Sequence, residues 1–433
     1  MADAGAYQGG RPVYIVDGNR TPFLKARGVP GPFRASDLAV VAGRTLLLRQ
    51  PFAPEELDEV ILGCIIPGPD EANIARVVSL RLGCGKTVPA WTVQRNCGSG
   101  MEAVDSAAMN IAHGRSDLVL AGGTEAMSHA PLLLNDAMVE LLGEWGRART
   151  TKERLRLLGR LRPRHFQPVI GLLHGLTDPV VGLSMGQTAE ELAHRFLIDR
   201  ERMDAFALES HRRLALAQDE GRLAEISPIF ASDGSFFEHD QGVRRDADQA
   251  SLARLKPAFD RPFGLVTAGN SAQITDGAAW LLLASEEAVA RWKLEPIGRI
   301  VDAEWAGLDP AQMGLGPVHA VTPILQRQGL GLNDLDLWEI NEAFAAQVQG
   351  CVAAWQDDEY CRKELGLPGA LGKLDEDKLN VDGGAVALGH PVGASGARIV
   401  LHLAHALRAR KLKRGIASIC IGGGQGGAMM VEV

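Results

Sequence analysis

The chain has 433 residues, 46% of them apolar and 23% charged, a balance that excludes a mainly disordered, collagen-like or fibrous protein. Its formal net charge is −8, whereas nucleic-acid-binding proteins are usually basic, so we expect no nucleic-acid partner. No uncharged apolar run reaches the ~18 residues of a membrane span, and residues 1–11 resemble neither a secretory signal nor a transit peptide. Six scattered cysteines without a CxxC pair indicate reduced thiols in a cytoplasmic compartment.

Strands and helices alternate in the first third of the chain, a pattern typical of a parallel sheet covered by helices. The predicted elements are a strand at 13–16, a helix at 36–48, a strand at 59–64, a helix at 101–113 and a strand at 117–121. Gly122 and Gly123 follow the last strand directly, so we expect them to end it.

The last third of the chain repeats these landmarks in the same order. Residues 335–340 are similar to residues 57–62, and a Ser-Gly pair opens a predicted helix both at Gly100 and at Gly396. Strand 418–421 ends in Gly422, as strand 118–121 ends in Gly122, at a similar distance from the helix. The repetition predicts a duplicated α/β unit.

A region of different character, residues 128–273, separates the two repeats. Its opening part is basic, with eight Lys or Arg and one acidic residue between 147 and 164, and Leu155, Leu158 and Leu161 fall at helical spacing. Residues 166–181 are then largely apolar. Two interpretations remain open: a solvated helix with a packed loop, or a surface that contacts anionic lipid or an acidic partner.

Two residues at predicted helix starts have the chemistry of a nucleophile and its base. Cys97 lies at a strand-to-helix turn, where the helix dipole favours a thiolate and its own amide is free to donate to an oxyanion. His390 lies in the glycine-rich loop 383–396, just before a helix, where a histidine can take a proton from a thiol. The alternatives are a core cysteine and a capping or core histidine.

Two further candidates lie at predicted strand ends. Cys420 occupies the duplicated position in the last third, where a second thiol can serve as an acid or base and Gly422 can present a bare amide. Asn341 follows the strand 335–340, where its amide can hold a water or a carbonyl. The alternatives are a core cysteine before a turn and an ordinary helix N-cap.

Together, these four features resemble the thiolase family, and the match extends from Ile15 to the C-terminus. Supporting motifs are Arg20-Thr21-Pro22 and residues 121–128, 185–190, 255–259 and 267–271. The resemblance implies an α/β thiolase fold, with two duplicated βαβαβαββ halves forming a five-layer αβαβα core and an inserted loop domain. It assigns 1–127, completed by about 274–294, to the N-terminal half, 128–273 to a loop domain covering CoA, and 295–433 to the C-terminal half.

The resemblance also implies an acyl-transfer mechanism. Cys97 would attack the 3-keto carbon of a 3-ketoacyl-CoA while His390 takes its proton, and Cys420 would protonate the departing acetyl-CoA enolate and then activate CoA. The amides of Cys97 and Gly422 would hold one oxyanion, and His390 with a water on Asn341 would hold the enolate oxygen. Coenzyme A is then a substrate, and the chemistry needs no metal or redox cofactor.

The CoA-binding residues follow less directly from the resemblance. Met185 and the segment 267–273 would line the pantetheine tunnel, although Met185 also fits an ordinary core position. Arg244 or Arg245 would meet the adenine or phosphates. Many thiolases have serine where this chain has Ala272, so a pantetheine hydrogen bond is either missing or shifted to Ser271.

Two segments look like the β-subunit thiolase of a fatty-acid-oxidation trifunctional complex. Residues 139–181 would contact a membrane, and residues 360–378 would form a helical hairpin at the membrane or at a hydratase/dehydrogenase α subunit. We expect at least a homodimer or tetramer in the cytoplasm, with peripheral membrane attachment left open. The alternatives are a biosynthetic acetoacetyl-CoA thiolase and a non-catalytic scaffold or membrane-binding subunit, against which intact Cys97, His390, Asn341 and Cys420 argue.

Overall fold

The computed structural model describes Tyr7 and residues 10–433, and most of the segment 1–11 lies outside the described residues. The N-terminal part contains β1 (Val13–Arg20), β2 (Leu24–Lys25), α1 (Ala35–Leu47), β3 (Glu59–Gly63), α2 (Ile74–Arg81), β4 (Ala90–Val93), α3 (Ser99–Ala112) and β5 (Leu118–Ala126). Each strand and helix predicted for this part is present, and β1 and β5 run further than predicted.

The inserted region follows β5 and is built mainly from helices. It contains β6 (Leu132–Leu133), α4 (Asp136–Arg147), α5 (Thr151–Leu158), β7 (Val169–Ile170), α6 (Gly171–Gly175), α7 (Met185–Arg195), α8 (Arg200–Asp219), β8 (Ile229–Phe230), β9 (Phe236–Phe237) and α9 (Gln249–Ala253). None of the helices in the described part of the chain is both long enough and apolar enough to cross a membrane.

The chain then returns to the core. It forms β10 (Thr275–Ala284), α10 (Glu286–Trp292), β11 (Gly298–Gly307), α11 (Gly316–Gln328), β12 (Leu337–Ile340), α12 (Ala345–Gln356), α13 (Asp358–Glu364), α14 (Ala385–Leu388), α15 (Val392–Arg410), β13 (Arg414–Ile421) and β14 (Gln425–Glu432). Short 3-10 turns connect several of these elements.

The strands form two sheet halves that are joined at one edge. The N-terminal half has the order β4-β3-β5-β10-β1, in which β4, β3 and β5 are parallel and β10 is antiparallel to both neighbours. The C-terminal half has the order β12-β13-β14-β11, with only β12 and β13 parallel. A short antiparallel pairing of β1 with β11 connects them.

Five layers result from the way the helices pack on these sheets. Helices α1 and α2 cover the outer face of the N-terminal half, and α11 and α12 cover the outer face of the C-terminal half. Helices α3 and α15 lie between the two sheets and pack against each other. Helix α15 contacts strands of both halves, and α3 contacts strands of the N-terminal half. Because α15 is enclosed on all sides, its sequence is apolar or small around most of its circumference.

Glycines allow the central helices and the strands to approach closely. A Cβ on Gly396 would lie 2.5 Å from Met101 N, and one on Gly123 would lie 1.9 Å from Gly393 O. Gly122 and Gly123 therefore lie inside β5 rather than at its end, contrary to the prediction. Their role is to admit the start of α15 and the neighbouring strand, a long-range contact that the local pattern does not indicate.

The two halves are similar but not identical. The strand that would correspond to β4 in the C-terminal half is reduced to a single parallel bridge between Trp338 and Leu379. Asn380 then adopts a left-handed conformation with φ of 46°. Its side-chain amide accepts from Ile340 N and donates to Ile340 O, both at 2.9 Å, and so replaces the missing ladder bonds.

Two predictions for the peripheral segments are wrong in detail. Helix α5 ends at Leu158, before Leu161, because Gly159 and Pro163 follow it, and the leucine that it buries is Leu157. Residues 360–378 do not form a helical hairpin. They begin in the short helix α13, which the Gly366 turn (φ 64°) follows, and continue as loop and a 3-10 turn packed on the C-terminal half.

Buried ion pairs attach the inserted region to the core. Arg20 of β1 lies 2.7 Å from Asp240, and Glu225 lies 3.0 Å from His402 Nδ1 on α15. Asp382 lies 3.4 Å from the other ring nitrogen of His402. Burial opposes the charge on this imidazole, but the nearby carboxylates outweigh burial and raise the pKa of His402 to about 10.

Candidate active site

Cys97 lies in a tight turn between β4 and α3. Asn96 takes a left-handed conformation with φ of 43°, and the Ser99 hydroxyl closes the turn by accepting from Arg95 N at 2.8 Å and donating to Asn96 O at 2.7 Å. A Cβ on the intervening Gly98 would lie 2.6 Å from Ile421 Cδ1 and 3.2 Å from Trp305 Cζ3, so the turn packs closely against β13 and β11. The turn therefore holds the thiol against the C-terminal half.

A hydrogen bond also joins the two halves of the fold at this turn. Asn96 Nδ2 donates to Gly422 O at 2.8 Å, which aligns the loop after β13 with the cysteine turn. Burial raises the pKa of the Cys97 thiol, while hydrogen bonding by the backbone of Gly422 and of Cys97 itself acts in the opposite direction. Cys97 is therefore a protonated thiol, contrary to the thiolate that the helix dipole alone favours, because loss of hydration outweighs the backbone donors.

His390 is held by a short hydrogen-bond chain within the first turn of α15. Its Nδ1 lies 2.6 Å from Ser395 Oγ, which in turn donates to Pro391 O at 3.1 Å. Since the hydroxyl has one proton and gives it to the carbonyl, Nδ1 must carry the imidazole proton. The free electron pair is then on Nε2, which lies 3.5 Å from Asn341 Nδ2.

The environment keeps His390 neutral. Burial, and secondarily the positive charge of Arg398, lower the pKa of His390 to about 3. The pKa of Cys97 is raised as well, so the thiol of Cys97 and the imidazole of His390 are both neutral at pH 7. Val392, close behind His390 in the chain, lines the same cavity as Cys97.

Cys420 and Asn341 complete the group from neighbouring parallel strands. Cys420 is buried near the end of β13, and burial, with a further contribution from Cys97, raises its pKa well above the usual value. It is therefore a protonated thiol at neutral pH. Asn341 directly follows β12 and is fully buried, and its Oδ1 has no hydrogen-bond partner among the described residues. Asn341 is not a helix N-cap, since Phe344 takes that position for α12.

A cavity of about 320 Å³ opens beside Cys97. Cys97, Met185, Gly422 and Gly423 lie in its wall together with mostly apolar side chains, and its size is that of a small-molecule site. Met185 is the first residue of α7, and its sulfur is 3.1 Å from the point where a Cβ on Gly422 would be. Met185 therefore lies at the candidate site rather than in a remote core.

The residues predicted to bind CoA differ in the hydrogen bonds and ion pairs that their side chains already form within the protein. Arg244 Nη2 donates to Ala268 O at 3.3 Å, next to the predicted pantetheine segment, whereas Arg245 is paired with Asp219 at 2.9 Å on the surface. The Ser271 hydroxyl donates to Thr267 O at 2.6 Å. Its proton is therefore occupied, which disfavours a pantetheine hydrogen bond donated by Ser271. Ala272 N donates to Ala343 O at 2.9 Å, so this segment runs beside the Asn341 loop.

Sequence reasoning gave no role to two residues that support the site. Ser395 orients His390, and Glu125 accepts hydrogen bonds from Ile65 N and Ile66 N, both at 3.0 Å, at the cavity wall. Burial raises the pKa of Glu125 to about 7. Both residues belong to motifs that are visible in the sequence. The partners of Glu125 are distant in the chain, and the contact of Ser395 depends on the direction of its side chain, so neither role could be predicted.

Comparison with known proteins extends over the same residues. Family models described as "Thiolase, N-terminal domain" and "Thiolase, C-terminal domain" match residues 13–287 and 294–433. The 3-oxoadipyl-CoA/3-oxo-5,6-dehydrosuberyl-CoA thiolase of Escherichia coli K12 is 40% identical, covering 98% of this chain and 99% of that protein. A 3-ketoacyl-CoA thiolase of Serratia proteamaculans is 37% identical over 97% of both chains. The structure of human mitochondrial 3-ketoacyl-CoA thiolase with CoA superimposes with a TM-score of 0.83 at 36% identity, covering 98% of each chain.

Proposed function

The chain belongs to the thiolase family, and we propose that it cleaves 3-ketoacyl-CoA with coenzyme A to give acetyl-CoA and a shortened acyl-CoA. As a thiolase it is an acyltransferase with CoA as a substrate. Two observations support the proposal: Cys97, in the wall of an apolar cavity, lies close enough to Cys420 of the other half to raise the pKa of that thiol, and His390 Nε2 lies 3.5 Å from Asn341 Nδ2 in the same half as Cys420. The relatives named 3-ketoacyl-CoA thiolase support a role in fatty-acid β-oxidation.

The first step forms a tetrahedral adduct between Cys97 and the substrate, from which the second step releases the acyl-enzyme. The sulfur of Cys97 attacks the 3-keto carbon, its proton passes to Nε2 of His390, and the carbonyl electron pair moves to the oxygen. The amides of Cys97 and Gly422 are the donors for that oxyanion, because they already interact with the sulfur that attacks. Loss of one such donor typically costs about 100- to 1,000-fold in rate.

The second step breaks the carbon–carbon bond. As the oxyanion collapses, the bonding pair moves to the acetyl-CoA fragment as an enolate, and the Cys420 thiol gives that carbon a proton. A raised pKa suits this task, since the thiol remains protonated until the enolate forms. Nε2 of His390, now protonated, and a water on Asn341 donate to the enolate oxygen.

The last step transfers the acyl group to CoA. The Cys420 thiolate takes the proton of the CoA thiol, and the resulting sulfur attacks the Cys97 thioester. The acyl group leaves Cys97, whose sulfur recovers its proton from His390. Every proton taken in the first two steps is thereby returned, and no external acid or oxidant is required.

The test is CoA-dependent cleavage of acetoacetyl-CoA and of a long-chain 3-ketoacyl-CoA, measured side by side on the purified full chain. We expect cleavage of both with preference for the longer chain, because the cavity is larger than an acetyl group needs. Preference for acetoacetyl-CoA favours the biosynthetic alternative. No cleavage of either thioester overturns the proposal and favours the scaffold alternative.

The surface of the inserted region supports a peripheral contact with anionic lipid through residues 139–181. Leu142, Leu155, Leu158 and Phe166 are exposed there among the basic residues of 147–164. Co-sedimentation with vesicles of anionic lipid, but not with zwitterionic vesicles, is the expected result. Three further properties stay predictions from the family resemblance. Light scattering checks the homodimer or tetramer, and co-purification checks the hydratase/dehydrogenase α subunit. The cytoplasmic location is the third.

A further inference from the structure

Glu342 is a buried carboxylate that directly follows Asn341 in the chain but has no part in the steps proposed above. The residue is 1% exposed, and a carboxylate in such a place is costly unless it is hydrogen-bonded. Burial raises the pKa of Glu342, and the three hydrogen bonds that it accepts act in the opposite direction. The donors are Ser210, Asn380 and Val386. They belong to three separate segments of the chain, so the carboxylate joins these segments at one point.

Glu342 and Ser210 together hold the start of α14, the short helix before His390. Glu342 Oε2 accepts from Val386 N at 3.1 Å and from the Ser210 hydroxyl at 2.7 Å. The same hydroxyl accepts from Gly384 N at 3.1 Å. A Cβ on Gly384 would lie 2.3 Å from Glu342 Cδ, so the carboxylate and the glycine-rich loop pack directly against each other. Helix α14 ends two residues before His390, and its start therefore influences where that imidazole lies.

The third donor keeps the carboxylate aligned with β12. Asn380 Nδ2 donates to Glu342 Oε1 at 2.8 Å, and the same side-chain amide is bound to both backbone groups of Ile340. The amide therefore cannot rotate to present its oxygen to Glu342 instead. Since Asn341 lies between Ile340 and Glu342 in the chain, it is held from both sides.

We propose that Glu342 and its hydrogen-bond partner Ser210 are positioning residues for acyl transfer, an inference that rests on the proposed thiolase function. They set the 3.5 Å separation between Asn341 Nδ2 and His390 Nε2. Asn341 adjoins Glu342 in the chain, and His390 follows the helix that this carboxylate holds, so both sides of the contact depend on one buried group. Ser210 lies on α8 of the inserted region, which thereby becomes coupled to the geometry of the site.

The experiment measures kcat and KM of the full chain with CoA and whichever 3-ketoacyl-CoA it cleaves faster. Glu342→Gln keeps the size of the side chain, but its amide nitrogen must face at least one of the three donors, whichever way the amide is turned. We expect kcat to fall by about 10- to 100-fold in this variant and by about 3- to 10-fold in Ser210→Ala, which removes the hydroxyl alone. KM for CoA should change by less than about twofold, since the loss concerns orientation in the reaction rather than binding.

Thr322→Val is the matched control for the loss of a buried hydroxyl. Like Ser210, Thr322 is buried and its hydroxyl forms two hydrogen bonds, donating to Val318 O at 2.7 Å and accepting from Trp355 Nε1 at 3.2 Å. Thr322 lies on α11, which covers the outer face of the C-terminal half. The control should lower the urea midpoint about as much as Ser210→Ala does but leave kcat unchanged.

A double variant gives a second measurement that stability alone would not affect. If Glu342 acts partly through Asn341, Glu342→Gln should lower kcat at least about threefold less in an Asn341→Ala background than in the native chain. Equal losses in the two backgrounds overturn the inference.

The single variants have equally distinct outcomes. Unchanged kcat in both Glu342→Gln and Ser210→Ala overturns the inference, and Ser210→Ala keeps the test available if Glu342→Gln does not fold. A raised KM for CoA with unchanged kcat also overturns it and means that the pair only anchors the inserted region. An equal loss of kcat in Thr322→Val assigns the effect to stability and overturns it too. Absence of cleavage by the unaltered chain is a failure of the proposed function instead.

Discussion

Replacing Ser395 with alanine tests how the site prepares His390 to take a proton. The Ser395 hydroxyl lies 2.6 Å from Nδ1 and donates its own proton to Pro391 O, so it dictates which nitrogen is protonated. The alanine variant leaves a buried N–H without an acceptor, a loss of about 1–3 kcal/mol. At 1.36 kcal/mol per tenfold in rate, kcat should fall about 5- to 150-fold.

Steady-state kinetics and the alkylation rate of Cys97 by iodoacetamide across pH give the readouts. KM for CoA should change less than kcat, because the hydrogen bonds of Ser395 go to His390 and Pro391 rather than to the cavity. The matched control is Ser418→Ala, since Ser418 is equally buried but its hydroxyl has no hydrogen-bond partner among the described residues. An unchanged kcat in Ser395→Ala, or an equal loss in the control, would refute the tautomer argument.

The remaining predictions concern reaction and stability. Cys97→Ala should abolish acyl transfer while circular dichroism stays native, and measurable turnover would exclude Cys97 as the nucleophile. Cys420→Ala should lower turnover by about 100- to 10,000-fold, the usual value of a general acid–base group, whereas near-normal turnover would remove it from that role. His402 has a raised pKa of about 10, so its contribution to stability is complete below its ordinary pKa of about 6.5 and disappears as the pH rises through 10. His402→Asn should therefore flatten the decline of the unfolding free energy over this window, as followed by urea denaturation. Gly123→Ala should destabilise the fold by about 1–3 kcal/mol or more, but Gly175→Ala, whose added Cβ has no neighbour within 4 Å, should not; similar urea midpoints for the two would contradict the close contact.

Local sequence patterns predicted the elements and the places of the candidate residues within them, because both depend on nearby residues. Cys97 and His390 come just before helices α3 and α15, as their glycine-rich surroundings indicated, and Cys420 lies at the end of a buried strand. The sequence left a helix N-cap open for Asn341, and only the position of Phe344 as the cap of α12 excludes it. The family resemblance then supplied the layered fold and the activity.

Other features could not be predicted, because they depend on contacts between distant segments. Gly122 and Gly123 resemble a strand end locally, and only the approach of α15 shows why they lie within β5. A thiolate at Cys97 follows from the helix dipole alone, but the enclosing halves remove water and raise the pKa of the thiol.

The resting state of the site has a consequence for its chemistry. Both Cys97 and His390 are neutral because burial penalises each charged form, so little of Cys97 is present as thiolate. The hydrogen bond from Asn96 Nδ2 to Gly422 O holds together the two backbone segments whose amides, in the proposed mechanism, donate to the developing oxyanion. Charge separation is then favourable only when a carbonyl carbon is present to accept the sulfur. In the proposed mechanism, the same burial that suppresses the free thiolate would protect Cys97 from side reactions and confine its reactivity to the complex with substrate.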